Sequence, residues 1–148
     1  MAKTIRSLQI RHVDAGSCNG CEQELTALTG PDYDIQQYGL DIVASPRHAD
    51  VLLVTGPVTD TMARSVERVW DAIPPPRIRM SFGDCAIGCG VFQQAYASHG
   101  GLTDSDIAVP GCPPVPDQTL NIIRGWLAKH LRQGTTFLDK DADSAAAT

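Results

Sequence analysis

Short apolar runs alternate with segments of helical period along this chain, and three of the runs lead into a loop that carries a cysteine. Leu8, Ile10 and Val13 give a strand-like run over 7–13, which Asp14-Ala15-Gly16-Ser17 breaks before Cys18. Cys21, Leu25 and Leu28 then fall about one helical turn apart, and Gly30-Pro31 is a stop signal for that helix. Leu40 to Ala44 and Val51 to Val54 read as two further strands, joined through Ser45-Pro46-Arg47-His48. Thr59 or Asp60 can cap a helix whose Met62, Val66, Val69, Trp70 and Ile73 share one face. Pro74-Pro75-Pro76 ends it, because proline removes a donor and clashes with the preceding turn. Ile78, Met80 and Phe82 alternate as a strand that runs into Gly83-Asp84-Cys85. The segment 86–98 starts rich in glycine and then reads as helical. Ile107 to Val109 is one more short strand, leading to Pro110-Gly111-Cys112. Asp117 is the expected cap of a last helix with Leu120, Ile123, Trp126, Leu127 and Leu131 on its apolar face.

A strand–helix–strand order predicts an α/β domain with a mostly parallel sheet. Ligands of such sheets bind beyond the carboxyl ends of the strands. Loops far apart in sequence would meet there and bring Cys18, Cys21, Cys85 and Cys112 to one edge. The chain has 148 residues, enough for one domain that needs no disulfide staples. The expected domain covers 1–138, and the small and charged residues 139–148 read as a loose tail.

Composition excludes several classes. The net charge is −5 and the twelve Lys and Arg are scattered, whereas nucleic-acid binding calls for a basic patch. No apolar run approaches the roughly 18 residues of a membrane span. Neither a long apolar leader segment nor a twin-Arg pair is visible, so the cytoplasm is the expected compartment. Thiols stay reduced there, and cysteines at meaningful spacing are then ligands or catalysts rather than disulfides. Five cysteines cannot all pair within one chain. No G-x-G-x-x-G or G-x-x-x-x-G-K-[ST] fingerprint occurs, so no flavin, nicotinamide or other nucleotide is expected.

Cys18 and Cys21 form a C-x2-C pair, from which two thiolates can reach one metal centre. Cys85 and Cys112 arrive singly, each after a strand and beside glycine, which lets the backbone approach a bulky inorganic cluster. Four cysteine thiolates are the usual ligand set of a 4Fe–4S cluster. A four-Cys zinc site usually shows two close pairs, and only one is present. A thioredoxin-like C-x-x-C pair would leave Cys85 and Cys112 idle. Burial as small hydrophobes fits four cysteines in Gly-rich strand-end loops poorly. Cys89 could reach the same centre, replace Cys85 or be buried; the strand-end position favours Cys85.

Gly16-Ser17-Cys18-Asn19-Gly20-Cys21-Glu22, Gly83-Asp84-Cys85-Ala86 and Val109-Pro110-Gly111-Cys112-Pro113-Pro114 together resemble the small subunit of NiFe hydrogenases and the related 20 kDa subunit of NADH:quinone oxidoreductase (complex I). Ser45-Pro46-Arg47-His48-Ala49-Asp50, Gly56-Pro57-Val58-Thr59 and Pro75-Pro76-Arg77 resemble the complex I branch. That branch carries two adjacent cysteines in the first motif, whereas Asn19-Gly20 separates the pair here as in hydrogenases. The combination resembles the membrane-bound, energy-converting (group 4) hydrogenases. It implies a flavodoxin-like, three-layer fold and one 4Fe–4S cluster on Cys18, Cys21, Cys85 and Cys112, next to a NiFe site on another chain. It implies as partners a NiFe large subunit, a ferredoxin-like iron–sulfur subunit and integral membrane subunits, with this chain peripheral on the cytoplasmic face of the inner membrane. The alternative it leaves open is a complex I-like subunit that passes electrons to quinone.

Two other groups bear on the site. Glu22 and Glu24 are either ordinary first-turn acids favoured by the helix dipole or, for Glu22, a group in proton movement or cluster tuning. Arg47 and His48 are either solvated loop residues or cations that approach the cluster edge and raise its potential. His12, His99 and His130 show no partner pattern.

Overall fold

The computed structural model describes residues 7–132, and their side chains through 130. The tail expected over 139–148, the outer limits of the 1–138 domain and the side chain of Leu131 lie outside the described residues. Five strands form one sheet: β1 (Leu8–Asp14), β2 (Leu40–Ile42), β3 (Val51–Thr55), β4 (Ile78–Phe82) and β5 (Ile107–Val109). Their spatial order is β2-β1-β3-β4-β5, and every pairing is parallel. This is the flavodoxin-like order, with its reversal of direction between β1 and β3. The expected mostly parallel sheet is thus wholly parallel.

β3 occupies the middle, and all five of its residues are buried. A strand covered on both faces needs a helical layer on each. Helices α1 (Gly20–Leu28) and α4 (Pro116–Arg132) supply one layer, where Leu25, Leu28, Leu120 and Ile123 pack on Leu53, Met80 and Val109. Helix α2 (Asp60–Ala72) supplies the other. Its Val66 is buried, and Met62, Val69 and Trp70 pack half-buried on a cluster with Leu52 and Val54. The guanidiniums of Arg77 and Arg79 each lie 4.3 Å from the centre of the Trp70 ring. Arg77 also donates to the Trp70 carbonyl at 2.6 Å. These contacts fasten the end of α2 to β4 after the three prolines.

Two sequence expectations fail locally. Asp117 is not the cap of α4 but sits in its first turn behind Pro116. The carbonyl of Val115 accepts from the N–H and hydroxyl of Thr119, both at 3.0 Å, and Pro116 takes the first helical position, where its missing N–H costs nothing. The helix expected within 86–98 is a single turn, α3 (Asp84–Ile87), followed by turns. Gly88 stops it with φ +94°, and a Cβ there would lie 2.1 Å from the Gly100 carbonyl. The residues beyond find no core to bury against, as Val91, Phe92 and Tyr96 are exposed, and helices in proteins depend on such burial.

Leu53→Ala should cost about 2–5 kcal/mol, the range for emptying a core site. Gly125→Ala in α4, where an added Cβ meets nothing within 4 Å, should stabilise by about 0.5–1 kcal/mol. Urea unfolding of the two variants checks both signs.

Candidate metal centre

Parallel strands put all their carboxyl ends on one side, and the cysteine loops follow three of those ends. Cys18 and Cys21 come after β1, beside the point where the strand order reverses. Cys85 opens α3 directly after β4, and Cys112 follows β5. Asn19, between the first pair, takes a left-handed conformation (φ 72°) at the position just before α1, with no side-chain capping bond. Asparagine tolerates that conformation better than most residues, and the resulting turn separates Cys18 from the helix that carries Cys21.

The loops touch one another. A Cβ on Gly83 (φ +94°) would lie 2.6 Å from Cys21 Sγ, 3.5 Å from the Gly111 carbonyl and 3.7 Å from Pro114 Cδ. The Cys21 sulfur therefore rests on the bare backbone of the β4 loop, next to the loop of Cys112. Backbone bonds join those last two loops: Gly83 N–H to Val109 O at 2.8 Å and Asp84 N–H to Gly111 O at 2.9 Å. The Asp84 carboxylate returns a third by accepting from Gly111 N–H at 2.8 Å.

Cys18 and Cys112 are exposed, and Cys21 and Cys85 half-buried. Burial pushes the Cys21 thiol up to about 12, helped by the charges of Glu22, Cys85, Cys18 and Cys112. Burial also raises Cys85, against a hydrogen bond from the Phe92 N–H, while Cys112, Cys18 and Asp84 add to the rise. The charges of Cys18 and Cys112 thus bear on both half-buried thiols. Among the described residues, however, no three Cys, His, Asp or Glu close on a single ion. Cys89 is exposed, its N–H bonded to the Asp84 carbonyl at 3.0 Å.

Arg47 and His48 are not brought to this edge. They sit in a 3₁₀ turn, Pro46–His48, just ahead of β3, whereas the cysteines follow strand ends. Glu22 does lie at the edge, at the start of α1, and its partners include one that sequence pattern passed over. Ser17 Oγ donates to Glu22 Oε2 at 2.5 Å, and the Thr55 hydroxyl donates to Oε1. His12 Nε2 is 2.9 Å from Thr55 Oγ1 and 3.6 Å from Glu22 Oε1. His12 and Thr55 are on adjacent strands, 43 residues apart, a separation no local pattern reveals.

The family model described as NADH ubiquinone oxidoreductase, 20 Kd subunit matches residues 18–126. Formate hydrogenlyase subunit 7 of Escherichia coli (strain K12) is 42% identical over 123 residues, which are 81% of this chain and 48% of that protein. This chain therefore spans about half the length of that relative. A probable membrane-bound hydrogenase subunit, mbhJ, of Pyrococcus furiosus is 43% identical over 119 residues, 78% of this chain and 71% of the relative. Among solved structures, a chain of the membrane-bound sulfane sulfur reductase, an archaeal respiratory membrane complex, superposes with a TM-score of 0.76 at 25% identity, over 93% of this chain and 80% of that one.

Burial lowers the His12 pKa from its usual value, partly offset by Glu22 and Asp14. The unfolded chain then binds the proton that the folded chain resists, so the His12 contribution to stability is complete above the ordinary histidine range and is lost as pH falls through it. His12→Gln, which cannot titrate, should reduce the loss of urea stability between pH 7.5 and 5.5. An identical loss in the variant would refute the assignment.

Proposed function

The chain belongs to the NADH ubiquinone oxidoreductase 20 Kd subunit family, and on that premise we propose that it is an electron-transfer subunit holding one 4Fe–4S cluster through Cys18, Cys21, Cys85 and Cys112. The observation that carries this reading is the gathering of these four thiols at the carboxyl edge of the sheet. A single zinc, bonded at about 2.3 Å to each sulfur, would draw its ligands into mutual contact. A 4Fe–4S cluster takes each thiolate on a different iron, which suits donors that arrive on three separate loops. Its positive irons would also offset the mutual repulsion of four thiolates. The group supplies one-electron chemistry when bound. The protein's part is to fix the sulfurs, shield Cys21 and Cys85 from water, and leave Cys18 and Cys112 at the surface.

The complex we favour is a membrane-bound, energy-converting hydrogenase, with the NiFe site on a large partner subunit. The Asn19-Gly20 spacer and the likeness to a formate hydrogenlyase subunit and a probable membrane-bound hydrogenase subunit support it. A ferredoxin-like subunit and integral membrane subunits complete the proposed assembly, on the cytoplasmic face of the inner membrane. Among the described residues no helix is long and apolar enough to cross a membrane, so membrane attachment would come from those partners. Large apolar side chains crowd the proposed partner edge: Val91 (80% exposed), Phe92 (44%) and Tyr96 (102%) follow the Cys85 loop, and Val115 (57%) follows Cys112. The family model favours a second reading, a complex I-like subunit that passes electrons from its cluster to quinone, and the likeness to the sulfane sulfur reductase chain fits an acceptor other than a NiFe site.

The complex isolated without oxygen should be brown and carry about four irons on this chain. Cys112→Ala should abolish the cluster signal and Cys89→Ala should leave it. A colourless chain with one zinc, or a full cluster in Cys112→Ala, would sink the proposal. The large partner's sequence separates the two complexes, because two nickel-binding C-x-x-C motifs mean a hydrogenase and their absence means another acceptor.

A further inference from the structure

Glu22 is held more firmly than a first-turn acid requires. Helix-dipole stabilisation works for an exposed, mobile carboxylate, yet this side chain is only 16% exposed. Both of its oxygens accept hydrogen bonds, Oε2 from Ser17 and Oε1 from Thr55. The donors are themselves fixed. Thr55 is fully buried at the end of β3. Asp14 Oδ1 accepts from the Gly16 and Ser17 N–H groups at 3.0 and 2.8 Å, which sets the loop that carries the Ser17 hydroxyl. The single proton of the Thr55 hydroxyl goes to Glu22, so the proton in its contact with His12 must come from His12 Nε2. Hydrogen bonds then run in one direction, from His12 through Thr55 to the carboxylate, and each polarises the next. Bonds to an ionised acceptor are the stronger kind.

The next residue before Glu22 is Cys21, whose sulfur lies on the Gly83 backbone at the centre of the site. An exposed charge on the residue beside Cys21 would be weakened by water and salt. A clamped and mostly buried one acts through a lower dielectric. A fixed negative charge beside a redox centre opposes the arrival of an electron. Resting on the cluster reading above, we propose that His12, Thr55 and Ser17 are positioning residues that clamp the Glu22 carboxylate behind Cys21, and that this clamped charge holds down the reduction potential of the cluster.

The test is a potentiometric titration of the cluster, followed by its electron paramagnetic resonance, in the whole complex isolated without oxygen. Glu22→Gln keeps the shape and removes the charge, and should raise the midpoint potential. Thr55→Val removes one clamping hydroxyl at nearly constant volume, and should shift the potential by less and in the same direction. Thr55→Ser restores the hydroxyl and should return the wild-type value. An unchanged potential in Glu22→Gln, with a full cluster signal, would overturn the proposal. If Glu22→Gln does not assemble, the threonine pair decides, and equal potentials for Thr55→Val and Thr55→Ser overturn it. A wild-type chain without iron would overturn the cluster reading itself, a failure separate from an unmoved potential in iron-loaded variants.

Discussion

β3 pairs with β1 on one side and β4 on the other, and its residues from Val51 to Thr55 are buried. Much of the architecture follows from that double burial. Water can solvate neither face, so α1 and α4 must cover one and α2 the other. Helical crossovers return the chain to the same starting edge, which makes the neighbouring strands parallel. Parallel strands then deliver every following loop to the same side. The three cysteine-bearing loops share an edge because the strand between them cannot be exposed.

At that edge the backbone supplies what the side chains cannot. Gly83 leaves room for the Cys21 sulfur, and the bonds from Gly83 and Asp84 to the β5 loop hold Cys85 and Cys112 to a common frame. Behind them Ser17, Thr55 and His12 order a carboxylate. The site is half-buried at Cys21 and Cys85 and open to solvent at Cys18 and Cys112.

Long-period features were legible in the sequence. The apolar face of α2, the stop at Pro74 and the strand ends before Cys18, Cys85 and Cys112 all follow from spacing, because burial imposes a regular period on the residues it selects. The segment after Ala86 is not legible in the same way, since its apolar residues mimic a helical face while Gly88 and the lack of burial at Val91, Phe92 and Tyr96 decide otherwise. Arg47 and His48 looked close to the site because loops of one sheet look alike in sequence; only strand direction places theirs at the start of β3. His12 was passed over for the opposite reason. Its meaning lies in register, as β1 and β3 align His12 opposite Leu53 and Asp14 opposite Thr55, and register is a property of the pairing rather than of either segment.

Cys18 and Cys21 follow the first strand, whereas Cys112 follows the last. A ribosome releases the amino-terminal pair long before Cys112 is made. The frame that joins the donors needs β5 in place beside β4, and that docking in turn needs α4 to cover the new strand. On the cluster reading, cofactor delivery would be tied to the end of synthesis, because a nascent chain stalled ahead of Val109 lacks the frame that joins the loops.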